Sequence, residues 1–253
     1  MKRLVFGVLL AATTAYAVAQ DPAAMYSNSS GASTNYNPAF SRARSLGDMT
    51  APTGQLKPLI ATLEQRASAG DISAAKELFA GLSQCQGESL MANKGVFNQN
   101  CEGITDGDYA SMGKWLTQAA QSGDSQAQYA YATVGIDYVL GVQEAESNPA
   151  AFFAYKAEAK GYLLGLAAKC NIDATYAIAS DAAGFGLLFG DDLNDGYKFA
   201  VITDKIQNHH DKDNNASIAM GRIKEQIAKK IHNPLALDSD EKSADTFVNQ
   251  YCK

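Results

Sequence analysis

Residues 114 to 131 read Lys-Trp-Leu-Thr-Gln-Ala-Ala-Gln-Ser-Gly-Asp-Ser-Gln-Ala-Gln-Tyr-Ala-Tyr, which is a helix end, a tight turn and a helix start in immediate succession. Trp115, Leu116 and Ala119 fall on one apolar face, Gly123 supplies the left-handed residue just past a helix end, and Asp124 or Ser125 caps the next helix. Ala127, Ala130, Tyr131 and Val134 then recur at i, i+3, i+4 and i+7, the period of an amphipathic helix whose small residues admit a close neighbour. A chain built on this unit folds as paired helices.

The unit recurs. Leu59, Leu63 and Ala67 run up to a turn at Ala69-Gly70-Asp71, and Ala75, Leu78, Phe79 and Leu82 repeat the helical spacing beyond it. A third copy places Asn171 where the others have Gly, Asn being the other residue that tolerates a left-handed backbone, and continues Ala174-Thr175-Tyr176-Ala177-Ile178-Ala179. A fourth reads Ala216-Ser217-Ile218-Ala219-Met220-Gly221. Aligned on Ala75, Ala127, Ala174 and Ala216, the copies lie 52, 47 and 42 residues apart. Helix pairs at such periods bury their faces against one another, so the pattern predicts an all-α chain, an α-solenoid over residues 56 to 253. Ala244, Phe247, Val248 and Tyr251 form one face of a final helix that caps it, with Asp238-Ser239 as its start signal.

The runs from Gln118 to Ala130 and from Gly190 to Ala200 resemble the loop and helix start of the Sel-one-like repeat, a relative of the tetratricopeptide repeat. The likeness spans roughly residues 56 to 232, and the intervals exceed the family's usual length because insertions separate the helix pairs. It implies a solenoid that binds proteins or peptides and, in secreted bacterial members, one that carries cysteines.

The N-terminus has the form of a secretory signal, with Lys2 and Arg3, an apolar run from Leu4 to Ala12, and small residues through Ala17 and Ala19. Its apolar core is too short to span a bilayer. Cleavage near Ala19 is expected, releasing the protein to the periplasm without a stable membrane anchor. Loss of Lys2 and Arg3 takes the formal net charge from −6 to −8. So acidic a chain, lacking any basic stripe, is not expected to bind nucleic acid. Residues 20 to 55, rich in Ser, Asn, Ala, Gly and Pro, read as a disordered or tethering segment.

The four cysteines, Cys85, Cys101, Cys170 and Cys252, are an even number suited to an oxidising compartment. Three pairings are possible. Cys85 with Cys101 is preferred, because it closes a Gly- and Asn-rich insertion, and Cys170 with Cys252 follows, pinning the last helix to the third repeat. No CxxC pair exists and His209, His210 and His232 lie far from the cysteines in sequence, so no zinc site is expected.

Two Ser-x-x-Lys tetrads, at Ser73 to Lys76 and Ser111 to Lys114, match the serine enzymes that react with β-lactams, yet no Lys-Thr-Gly accompanies them and both lie at helix starts, where Ser caps. From Asp211 the sequence begins like a calcium loop, but Ala216 stands where Gly is required and Arg222 where the bidentate Glu belongs. No metal, no cofactor and no catalysis are expected. The expected function is non-catalytic capture of a periplasmic protein or peptide. The alternative is a cell-wall enzyme, or a protein that binds peptidoglycan fragments or β-lactams, with its pocket in the insertions. The groove is expected along the first helix of each pair, over 114–120, 151–168 and 197–206, with Tyr155, Lys156, Tyr162 and Lys198 turned outward into it. Asp181 takes the place that Val134 holds one repeat earlier and, with Asp191, Asp192 and Asp195, offers an acidic patch.

Overall fold

The computed structural model describes residues 49–91, 99–190, 192–210 and 214–252. The expected signal, most of the expected tether, Asp191 and residues 211–213 lie outside these. Every regular element among the described residues is helical. In order they are α1 (Lys57–Ser68), α2 (Ile72–Met91), a short 3₁₀ turn (Gln99–Cys101), α3 (Asp106–Ala110), α4 (Met112–Gln121) and α5 (Ser125–Gly135). A π-helical turn (Ile136–Leu140), α6 (Val142–Ser147), α7 (Pro149–Ala167), α8 (Ile172–Ser180) and a second π-helical turn (Asp181–Phe185) follow, then α9 (Leu193–His210), α10 (Asn214–Lys230) and α11 (Pro234–Tyr251).

Three of the turns share one construction. Gly70, Gly123 and Cys170 occupy the left-handed region at φ of 95°, 90° and 57°. The residue after each caps the next helix: Asp71 accepts from the Ala74 amide, Asp124 from Ala127 and Asn171 from Ala174, at 3.1, 2.9 and 2.9 Å. At the first and third turns the outgoing amides return to the helix just ended, Asp71 to Arg66 and Asn171 to Leu166, and satisfy carbonyls that would otherwise be orphaned. The third turn corrects the sequence expectation. Asn171 is the cap and Cys170 is the left-handed residue, because the alignment of Cys170-Asn171 with Gly70-Asp71 and Gly123-Asp124 places the cysteine in the glycine position.

Packing follows chain order: α1 on α2, α2 on α4, α4 on α5, α5 on α7, α7 on α8, α8 on α9, α9 on α10, with α11 laid along α9. Ala75, Ala127 and Ala174, the aligned positions, are fully buried, so backbones approach closely where the repeats coincide. Large side chains fill the gaps between them, with Phe79, Leu82, Trp115, Leu116, Leu163, Ile178, Ile202 and Ile227 almost wholly enclosed. Gly113 is obligatory, since a Cβ there would collide with the Tyr138 carbonyl of the first π turn. Polar clasps join successive layers: Gln118 donates to the Ala67 carbonyl at the end of α1 (2.6 Å), and Lys76 pairs with the cap residue Asp124 (3.0 Å).

Met49 is buried and Pro52 packs beside Gly81 of α2, so ordered packing extends upstream of Leu56. The last helix begins at Pro234 rather than after Asp238, because Asn233 caps it and Pro234 takes a first-turn position that needs no amide donor. Both preferred disulfides are present, Cys85–Cys101 and Cys170–Cys252, with Cα atoms 5.3 and 5.5 Å apart. Two disulfides fit an oxidising compartment. Among the described residues no helix is long and apolar enough to cross a membrane.

Candidate functional site

The residues expected to share one groove fall into three separate places. Tyr155 is not outward. It is only 5% exposed, its ring stacks on Tyr131 of α5 with centroids 5.2 Å apart, and its hydroxyl donates to the Tyr131 carbonyl at 2.7 Å. Tyr162 is half-buried and meets the Tyr131 ring edge-on. The reason lies in α7, which carries Ala, Gly, Phe, Leu and Tyr around its whole circumference, so apolar periodicity does not single out its buried side.

At the centre of this cluster stands Glu158, which sequence reasoning overlooked. Its carboxylate accepts from the hydroxyls of Tyr131 (2.7 Å) and Tyr162 (2.8 Å) and from the Gln121 amide of α4 (3.4 Å). Burial pulls its pKa upward, but the two hydroxyls and the amide outweigh burial and hold it below the ordinary carboxylate value. Burial, and then the neighbouring carboxylate, push the Tyr131 and Tyr162 phenols far up, so both stay protonated as donors. Because the folded pKa is depressed, the stability this group adds is present above its unfolded pKa and is lost as pH falls through the folded value. Glu158→Gln is therefore expected to flatten the acid limb of a urea-midpoint against pH curve. An acid limb as steep as that of the unmodified protein would assign the acid sensitivity to other groups.

Asp181 and Lys156 form the second place. The carboxylate accepts from the amides of Leu188 (3.1 Å) and Phe189, so it organises the loop after the second π turn rather than facing a ligand. Burial raises its pKa despite those amides and the Lys156 charge. Gly186 must lack a side chain, because a Cβ would strike this carboxylate. The third place is Lys198, half-buried and paired with Asp195 at 2.5 Å. The 197–206 stretch offers no open face, for α10 and α11 cover it and Tyr197, Phe199, Val201, Ile202 and Ile206 are buried. Tyr197 donates to Glu241 of α11 at 2.9 Å, and burial, helped by that carboxylate, pushes its phenol up to about 12.

The outer side of α4 is open and concave. Lys114, Thr117, Gln118 and Gln121, with Tyr138 and Val139 of the first π turn, line a shallow depression of about 440 Å³. Its chemistry is that of two side-chain amides, the Thr117 hydroxyl, Tyr138 and one cation, Lys114, whose ammonium also lies 4.1 Å from the ring centroid of the buried Trp115.

The two serines with a lysine three residues on are otherwise engaged. Ser73 donates to Glu77 (3.1 Å) while Lys76 serves Asp124. Ser111 donates to the Asp108 carbonyl (2.7 Å) and accepts from the Trp115 indole (3.1 Å). The calcium-like loop from Asp211 lies largely outside the described residues. No family model, curated protein or solved structure matches the chain.

Proposed function

We propose that this protein is a non-catalytic binding scaffold of the Sel-one-like kind, an α-solenoid exported to the periplasm that captures a protein or peptide segment. The observation that carries the reading is the outer side of α4. Its inner residues Trp115, Leu116, Ala119 and Ala120 are consumed by the stack, whereas Lys114 and Thr117 are not needed for it and line an open depression. Chain-order packing supports the solenoid, since each layer contacts the next. A preformed concave surface lined by amides suits an extended or helical segment, whose main chain such groups can bond.

A photo-reactive residue placed at 117 should give a discrete protein adduct in the native periplasm, while the same group at Ser125, at the exposed start of α5, should not. Peptidoglycan should be left unchanged and a labelled β-lactam should not attach. Equal adducts at both positions would remove the groove, and a β-lactam label lost in Ser111→Ala would replace the scaffold with an enzyme.

A further inference from the structure

The side of α7 turned away from α5 and α8 is apolar along its length. Phe153 is 64% and Leu164 37% exposed, and Ala154, Ala157, Gly161 and Gly165 share that exposed side. The stripe holds no Asp, Glu, Lys or Arg. Single exposed apolar residues are ordinary, but a continuous stripe along a 19-residue helix marks a surface that is covered in use.

We propose that a second copy of this chain covers it, α7 lying antiparallel on α7 about a two-fold axis at Ala159. The stripe is nearly symmetric about that residue, so the two-fold sets Phe153 of one copy within one residue's rise, about 1.5 Å, of the level of Leu164 of the other, and Ala157 level with Gly161. Phe153 and Leu164 occupy one edge and meet as an apolar pair. Ala154, Gly161 and Gly165 occupy the other, where the absence of bulk lets the two backbones draw together.

Charge selects the same occupant. Lys160 borders the Phe153 edge with its ammonium 3.7 Å from Asp192, the two side chains 28% and 43% exposed. An antiparallel two-fold brings like edges together, so the Lys160 and Asp192 of one copy lie beside the Lys160 and Asp192 of the other. Each carboxylate then has two ammonium groups within reach, and an edge carrying one charge of each sign pairs with itself without net repulsion. On the opposite edge Glu158 is turned back to Tyr131 and Tyr162 and is not presented. One helix face buries less than the roughly 800 Å² per partner of a stable complex, so the dimer forms reversibly.

Sedimentation velocity of the purified chain should show the mass climbing from one chain toward two as concentration rises. Ala157→Glu, which sets a carboxylate against its own copy at the centre, should weaken dimerisation by about tenfold or more with the helical circular dichroism unchanged. Lys160→Asp and Asp192→Lys should each behave as monomers, while an equimolar mixture of the two should dimerise again. A protein that stays monomeric at every concentration overturns the proposal. So does a dimer indifferent to all three substitutions, which would put the contact elsewhere. Partner adducts at position 117 are read separately in the monomeric Ala157→Glu protein, so the fate of the dimer does not decide the fate of the scaffold.

Discussion

Removal of the Cys170–Cys252 bridge is expected to lower stability by about 4–5 kcal/mol, against about 3 kcal/mol for Cys85–Cys101, on the chain-closure account of disulfides. The two bridges span 82 and 16 residues, and the longer loop loses more freedom when it is closed. The longer bridge also has more to hold. Only Ala244 and Val248 of α11 are buried, with Phe247 packed on Phe199, the Tyr197–Glu241 bond and the Lys205–Asp245 pair as further ties. Without Cys252 the helix should exchange its amides with solvent by local opening while α7 and α8 stay protected. Cys170 adds a second expectation. It stands at φ 57° where the other turns have glycine, so Cys170→Gly with Cys252→Ser should be less damaging than Cys170→Ser with Cys252→Ser by about 1 kcal/mol. Urea denaturation of these variants decides the matter. A smaller loss at 170/252 than at 85/101 would show that loop closure is not what these bridges contribute.

Tyr155→Ala is expected to cost about 3–4 kcal/mol, the range for emptying a buried aromatic site. Its ring fills the space between α7 and α5 against Tyr131, and the truncation leaves a cavity that two packed helices cannot close. Tyr155→Phe isolates the hydroxyl. It removes one bond to the Tyr131 carbonyl, which still has its place in the α5 ladder, and should cost about 1 kcal/mol. Full stability in Tyr155→Ala accompanied by lost partner capture would return the residue to a binding surface. Loss of stability and capture together, with Tyr155→Phe nearly neutral in both, is the result that the buried ring predicts.

Local chemistry written within a few residues was legible. Gly70-Asp71, Gly123-Asp124 and the third turn gave the breaks between helices, because a left-handed residue followed by a short side-chain acceptor has few other uses. The alanines at 75, 127 and 174 marked the close contacts, since only small side chains let helices meet there. The cysteine pairing followed from which segments needed closing. Asn233-Pro234 is as readable a helix start as Asp238-Ser239, and it is the one the chain uses.

Orientation about a helix axis was legible only where the helix has a polar side. In α4 the contrast between Trp115, Leu116 and Ala119 within and Lys114 and Gln121 without fixes which face is buried, and the outer face found open is the one expected. In α7 no such contrast exists, so Tyr155 and Tyr162 could not be assigned from phase. Their place was decided by Tyr131 of α5 and by Glu158, partners whose proximity exists only once the two helices are stacked. The same holds for Asp181, whose acceptors' needs are met by amides seven and eight residues on, and for 197–206, whose exposure depends on whether α11 folds back over it. By itself, then, the sequence determined the main helix pairs and the turns between them, because backbone conformation and capping are short-range. The tertiary structure alone decided which side of a helix with apolar residues all round is core and which is surface, because that depends on the shape of a neighbour distant in the chain.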